Sequence, residues 1–121
     1  MTYRVAVASS DGRFINQHFG RAGQFLIFDI SGGDKFDSKF VALRNNLPPC
    51  SARQHDEARL AAAVALLSDC QAVLAAKIGP GATAALTAQG IAALEATAFI
   101  DEALVRVGKR LHSILPHQAG R

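Results

Sequence analysis

The sequence has few cysteines, no long apolar run and no long basic run, and these absences argue against several classes of protein. Only two cysteines occur among 121 residues, which is too few for the disulfide framework of a small secreted domain. No apolar run approaches the roughly 18 residues that a membrane-spanning helix needs. The net charge is a mild +3 without a long basic run, which argues against a dedicated nucleic-acid surface but suits a small anionic ligand.

The composition that remains is that of a globular domain. Half of the residues are hydrophobic and 19% are charged, so the chain is not a disordered one. Its length is usual for one domain with a single core. The sequence enters a strand-like segment at Tyr3, which leaves no room for a signal peptide. We therefore expect one domain over residues 1–111, a flexible tail over 112–121 and a cytoplasmic protein.

The apolar pattern alternates between strand-like and helix-like segments. Short apolar segments bounded by turn residues predict five strands, at about residues 3–8, 24–30, 36–44, 72–76 and 91–96. Helical spacing and end signals predict three helices, at about residues 51–68, 80–89 and 98–111. Ser51 opens the first with a capping box, and Thr97 is a candidate cap for the last. The order β-β-β-α-β-α-β-α predicts an α/β protein, a mixed sheet covered by helices.

The predicted topology gathers three separated segments at one end of the sheet. If the first three strands form a meander, right-handed crossovers set strands four and five parallel to strand one. The loop after strand one carries His18, the segment after strand three carries Cys50 and His55, and the turn after strand four is Gly79-Pro80-Gly81. Open α/β sheets bind ligands at this end. Cys70 precedes strand four, so we expect it to be a buried structural thiol at the opposite end.

The loop motif Asn16-Gln17-His18-Phe19-Gly20 is the most informative feature of the chain. Phe19 is suited to anchoring the loop in the core, and we expect Gly20 to allow a bend that a residue with Cβ would resist. His18 would then project from a positioned loop, where functional side chains concentrate. The alternative interpretation is a solvated loop histidine.

The imidazole and thiol groups of His18, Cys50 and His55 suit zinc, copper or iron–sulfur species. The chain has no Cys-x-x-Cys pair, and three ligands on separate loops do not resemble a closed structural zinc site. A ligand that is held by few protein groups is the better interpretation.

Two further features favour an anion at the same end of the sheet. The turn Gly79–Gly81 directs the N–H groups of a helix N-terminus toward this region. The alternative interpretation is an ordinary turn that connects a strand to a helix. Four arginines flank the candidate loops, and they either supply positive potential or form a solvated rim. They are Arg13, Arg21, Arg44 and Arg53.

Six segments carry a resemblance that covers residues 3–111. They are Val5 to Gly12, Asn16 to Gly20, Phe25 to Phe28, Leu67 to Leu74, Ala76 to Gly79 and Gly90-Ile91. Together these segments resemble the dinitrogenase iron–molybdenum cofactor biosynthesis family, which comprises NifX-type proteins and the C-terminal domain of NifB-type proteins. The resemblance implies a ribonuclease-H-like fold, in which a mixed five-stranded sheet is flanked by helices.

The resemblance also implies a function. Members bind or carry the iron–molybdenum cofactor, or its iron–sulfur precursor, as cargo during assembly. The expected partners are nitrogenase cofactor assembly proteins or apo-dinitrogenase. The histidine of the family's His-Phe-Gly loop is the expected cluster contact and corresponds to His18. Cys50 resembles a cysteine that is often found before the first helix, but Leu47-Pro48-Pro49 precedes it here without the aromatic residue expected at that point.

We therefore expect cofactor contacts from three segments, with His18 and Cys50 as the metal ligands. The contact residues are Asn16, His18, Phe19, Gly20, Arg21, Cys50, His55, Gly79 and Gly81. Neither nucleic acid nor a membrane is an expected partner, and the protein should be a monomer or a weak homodimer.

Three functional alternatives follow from the same residues. NifB-type enzymes carry a radical-SAM cysteine triad, which two distant cysteines cannot supply, so the chain resembles the carrier module alone and no enzyme activity is expected. A metal-dependent nuclease on a ribonuclease-H-like fold would need clustered carboxylates, whereas the aspartates are scattered along this sequence. A regulatory or scaffold protein of the same fold that binds no cluster remains the third interpretation.

Overall fold

Five strands and three helices occur in the part of the chain that the computed structural model describes, residues 2–32, 36–46 and 56–114. The strands are β1 (Thr2–Val7), β2 (Gln24–Gly32), β3 (Phe36–Asn45), β4 (Ala72–Ala75) and β5 (Ala92–Glu95). The helices are α1 (Asp56–Leu66), α2 (Pro80–Ala88) and α3 (Ile100–Ile114), and one 3-10 turn spans Phe19–Arg21. The predicted class, a mixed α/β protein with five strands and three helices, is confirmed.

The ends of α3 differ from the prediction. The helix starts at Ile100 and not directly after Thr97, because the preceding segment is first paired with the loop after β1. The Ile15 N–H donates to the Ala98 carbonyl at 3.0 Å, and the Ile100 N–H donates to the Arg13 carbonyl at 2.8 Å. At its other end α3 continues to Ile114, so residues 112–114 of the predicted tail are helical. Residues 115–121, and the predicted capping box at residues 51–54, lie outside the described residues.

The strands form one sheet in the order β3-β2-β1-β4-β5. β2 is antiparallel to both β1 and β3, whereas β4 is parallel to β1 and β5 is parallel to β4. The predicted direction of strands four and five is therefore confirmed. As a result, the segments that follow β1, β3, β4 and β5 all leave the sheet at the same end, where open α/β sheets bind ligands.

The sheet is covered on both faces. α1 and α2 pack on one face, in a core that includes Phe25, Ile27 and Val73, and α3 packs on the other face. The predicted stripe of α3 (Ile100, Leu104, Val107 and Leu111) is buried. β4 is buried along its whole length, and so is most of β1, which explains why both strands read as nearly continuous apolar runs.

A chain of ion pairs fastens the sheet to the turn before β4. Arg4 Nε lies 2.7 Å from Asp29 Oδ1, and Arg4 Nη1 lies 3.0 Å from Asp69 Oδ2. Arg44 Nη1 lies 2.7 Å from Asp69 Oδ1, and its Nη2 donates to Asp69 Oδ2 at 2.8 Å. The hydrogen bonds from Arg44 hold the pKa of Asp69 well below its usual range, and those from Arg4 lower the pKa of Asp29.

Cys70 follows this network directly and is only 4% exposed. Burial raises the pKa of its thiol to about 12, so the thiol stays protonated near neutral pH. Its position before β4 and its burial are those predicted for a structural thiol.

Replacing Asp69 by Asn should reduce the acid sensitivity of the fold. The folded-state pKa of this carboxyl is lower than the unfolded value of about 3.9, so it stabilises the fold above that pH. The stabilisation is lost as the pH falls through the folded-state pKa. At pH 7 we expect a loss of only about 1 kcal/mol, because the Asp69 side chain is 44% exposed and solvent screens the pairs.

The measurement is urea unfolding between pH 7 and pH 2. The control is Asp37→Asn, because Asp37 is exposed on β3 and belongs to none of the three ion pairs of the described residues. An Asp69→Asn variant that loses stability with acid as steeply as the unmodified protein would contradict the assignment.

Candidate functional site

The loop after β1 is tied to the segment after β4 by two backbone hydrogen bonds. The Ala76 N–H donates to the Gln17 carbonyl and the Phe19 N–H donates to the Lys77 carbonyl, each at 2.9 Å. His18 and Lys77 thereby form a short parallel bridge. The predicted meeting of these two segments at one end of the sheet is confirmed, and the backbone of His18 is held on both sides.

Phe19 anchors the loop, as predicted. Its side chain is 2% exposed, and its ring centroid lies 5.5 Å from that of Phe25 on β2. His18 precedes the 3-10 turn in an extended conformation, is exposed, and makes no side-chain hydrogen bond that caps the turn. The imidazole therefore projects from a fixed backbone.

The predicted need for glycine at position 20 is wrong. Among the described residues only Gly12, Gly32 and Gly90 have a positive φ, and a Cβ built on Gly20 would meet nothing within 4 Å. The 3-10 turn makes the bend with ordinary backbone angles. Gly20 contributes its carbonyl, which accepts a hydrogen bond from Arg59 Nη2 of α1 at 2.9 Å.

Asn16 uses both ends of its amide inside the loop. Its Oδ1 accepts from the Ser10 N–H at 3.0 Å, and its Nδ2 donates to Ser10 Oγ at 3.1 Å. The side chain thus links the beginning of the loop to the residues just before His18.

Ser9 and Asp11 shape the loop through hydrogen bonds to its backbone. Ser9 is fully buried; its Oγ donates to the Phe14 carbonyl at 2.7 Å and accepts from the Gly12 N–H at 3.0 Å. Asp11 Oδ1 accepts from the N–H groups of Arg13 and Phe14, which lowers the pKa of this carboxyl. The sequence signal was present, because Ser-x-Asp-Gly is typical of a turn built on side-chain-to-backbone hydrogen bonds.

A cavity of about 160 Å³ lies behind the 3-10 turn, between the loop and the two helices of the same face. It is lined by Phe19, Gly20, Asn46, Arg59, Leu60, Ala63 and Ala82. Nothing in the sequence pattern marked Arg59, because an arginine in the first half of a helix is commonly a solvated side chain. Its bond to Gly20 nevertheless joins α1 to the His18 loop.

The first turn of α2 adjoins the same loop. Gly79 is its N-cap, Pro80 is its first residue, and no acidic side chain lies in the turn. A Cβ on Gly79 or Gly81 would meet nothing within 4 Å, so the backbone is accessible there. The N–H of Ile78, just before the turn, donates to Glu95 Oε2 at 2.8 Å, which places one carboxylate near this helix N-terminus.

The four flanking arginines do not act alike. Arg13 and Arg21 are exposed. Arg44 is turned away from the site: it pairs with Asp69, and its Nη1 donates to the Leu66 carbonyl at the end of α1 at 2.9 Å. The expectation that Arg44 supplies charge to the loops is therefore wrong. Arg53 lies outside the described residues.

Cys50 and His55, the remaining predicted contacts, also lie outside the described residues. Within residues 2–32, 36–46 and 56–114, no three side chains among His, Cys, Asp and Glu are grouped to hold a metal ion. In the same ranges no helix has the length and apolar character to cross a membrane. His18 is thus the one proposed metal ligand whose surroundings are described.

The sequence matches known proteins over most of its length. A family model described as dinitrogenase iron-molybdenum cofactor matches residues 1–110. The FeMo cofactor biosynthesis protein NifB of Frankia alni is 37% identical over 110 residues, which cover 88% of this chain and 21% of that protein. The protein of the same name from Chlorobaculum tepidum is 36% identical over 103 residues, covering 85% of this chain and 23% of that protein. The chain spans about a fifth of the length of the curated relatives it matches.

Two solved structures resemble the fold. The crystal structure of PH0822 aligns with a TM-score of 0.63 and 24% identity over 88% of this chain and 91% of that chain. The NMR structure of the Thermotoga protein TM1290 aligns with a TM-score of 0.50 and 18% identity over 88% of both chains. At these identities the likeness concerns the fold alone.

Replacing Ser9 by Ala should loosen the His18 loop. The change leaves the Phe14 carbonyl and the Gly12 N–H without their buried partner, which costs about 2 kcal/mol. We expect faster amide hydrogen exchange at Gly12 and at Gln17 to Phe19, measured by NMR. Ser68→Ala, an exposed serine in the turn after α1, is the control. Unchanged exchange in the loop of Ser9→Ala would show that the hydroxyl does not hold it.

Proposed function

Because the chain belongs to the dinitrogenase iron–molybdenum cofactor family, we propose that it serves nitrogen fixation as a carrier in nitrogenase cofactor biosynthesis. Its cargo is the iron–molybdenum cofactor or the iron–sulfur precursor of that cofactor. The single observation that carries the proposal is the family match along residues 1–110. The geometry of the loop also supports the carrier proposal, because His18 is exposed on a backbone that hydrogen bonds hold in place.

In this proposal His18 is the first ligand of the cargo. Neutral imidazole binds iron, and two backbone hydrogen bonds keep the His18 backbone in place without a core contact for its ring. Cys50 is the second ligand, because its thiolate is a soft donor suited to iron–sulfur species. His55 and the backbone of Gly79 and Gly81 complete the binding region, and Phe19 anchors it.

The electrostatic surroundings suit an anionic cargo. Lys77, the bridge partner of His18, is exposed, and so is Arg21 in the 3-10 turn. Asn16 acts on the cargo through the loop, since both ends of its amide are bonded to Ser10. Few protein ligands and diffuse positive charge allow a carrier to hold a cluster and still release it.

We further propose that the fold is ribonuclease-H-like and that residues 1–111 act as a single carrier module without enzyme activity. The sheet order β3-β2-β1-β4-β5 with an antiparallel β2 supports the fold assignment. Fold alone does not decide function, and a nuclease would need grouped carboxylates. No such group occurs in the described ranges, so a carrier is preferred. Donor and acceptor are then other cofactor assembly proteins or apo-dinitrogenase.

His18→Ala should weaken cargo binding at least about tenfold, a loss of about 1.4 kcal/mol. The fold should be unaffected, because the side chain is exposed. The measurement is anaerobic titration with isolated iron–molybdenum cofactor, followed by absorbance and EPR. His112→Ala is the matched control, since it removes a histidine in the last turn of α3. Equal affinities for the two variants would exclude His18 as a ligand.

The two cysteines should differ in reactivity. Iodoacetamide should alkylate Cys50 of the apo-protein, and bound cofactor should protect it. Cys70 should remain unmodified in the folded protein, because burial keeps its thiol protonated. Peptide mapping by mass spectrometry distinguishes the two sites. Alkylation of Cys50 at the same rate with and without cofactor would remove it from the ligand set.

A further inference from the structure

A groove of about 510 Å³ runs along β5, at the edge of the sheet opposite β3. One wall includes Ile78, just before α2, and Thr83 of α2, and the other includes Val107 of α3. Ala93 and Glu95 of β5 lie along its floor. The groove is thus an open sheet edge set between two helices.

The backbone of β5 has hydrogen-bonding groups that face this groove. The N–H groups of Ala92 and Ala96 donate to the carbonyls of Gln71 and Ala75, each at 2.9 Å, so these residues face β4. Alternate residues of a strand direct their N–H and C=O groups to opposite sides. Ala93 and Glu95 therefore direct theirs away from the sheet, where an extended segment can pair with them.

The α3 wall of the groove carries positive charge. Arg106 and Arg110 are exposed, line the groove and lie one helical turn apart. Neither belongs to the three ion pairs of the described residues. The acidic side chain in the groove, Glu95, is held at the Ile78 N–H. An incoming segment with carboxylates on one side would complement the two guanidinium groups.

The other edge of the sheet is less suited to strand addition. The pairing of β3 with β2 shifts between Ile27 and Phe28, which leaves Val41 as a bulge in the middle of β3. Lys39 lies two residues before the bulge. Bulges and lysines are two of the means by which edge strands avoid pairing with another chain. β5 has neither feature, and its edge opens into the groove.

We propose that the β5 groove binds an extended acidic segment of a partner protein, which adds to the sheet as a further strand. Main-chain hydrogen bonds with Ala93 and Glu95 provide affinity, and the carboxylates of the segment contact Arg106 and Arg110. One end of the bound segment lies beside Ile78, whose neighbour Lys77 forms the bridge with His18. A protein docked here is held next to the His18 loop, whether or not that loop carries a cluster.

The probe is a fluorescein-labelled synthetic heptapeptide, Asp-Val-Glu-Val-Asp-Val-Glu, titrated with the full chain and followed by fluorescence anisotropy. The double variant Arg106→Glu, Arg110→Glu should bind it at least about tenfold more weakly. The control Lys39→Glu, Lys109→Glu makes the same change in net charge outside the groove, and screening should limit its effect to about threefold. Equal losses in both double variants, or no binding at about 1 mM protein, would overturn the proposal.

A second measurement tests strand addition itself. The unlabelled peptide should slow amide hydrogen exchange at Ala93 and Glu95 in NMR spectra, with no such effect at Lys39 and Phe40 of β3. Of two peptides with this sequence, one N-methylated at the valines and one at the acidic residues, only the one whose free N–H groups face β5 should still bind, because the other lacks the donors for that edge. Equal binding of the two methylated peptides, or protection at β3 in place of β5, would refute pairing with β5.

Discussion

The parallel pairing of β1 with β4 is the constraint on which the rest of the molecule depends. Val5 to Val7 lie beside Ala72 to Leu74 in the middle of the sheet, where both strands are buried. Such a pair can form only if the chain crosses over the sheet between them. The crossover directs the segments that follow both strands to the same end. That meeting brings the His18 loop beside the segment that leads into α2.

At that end the backbone of the loop after β1 is held more firmly than the side chain of His18. Ser9, Asp11 and Asn16 form hydrogen bonds within the loop, and Phe19 fixes it in the core. The His18 ring itself remains outside these contacts. A side chain on a rigid support loses little backbone entropy when it binds another group.

Much of the fold could be predicted from local patterns, because strand and helix periodicity reports burial directly. The α3 stripe and the buried Cys70 are examples. Two of the errors came from contacts between residues distant in the sequence. The start of α3 depends on pairing with Arg13 and Ile15, and the direction of Arg44 depends on the Leu66 carbonyl and on Asp69. The site could be predicted only in part. The sequence shows which residue types are present, but not which side chains already form ion pairs or hydrogen bonds within the fold.

The protonated core thiol has a consequence for the handling of metal. Iron binds thiolate, and burial disfavours the thiolate form of Cys70, which adds to the cost of using this sulfur as a ligand. With two cysteines in the chain, at most one thiolate is then readily available to an incoming metal ion. Cys70 therefore competes weakly with surface ligands for a metal ion.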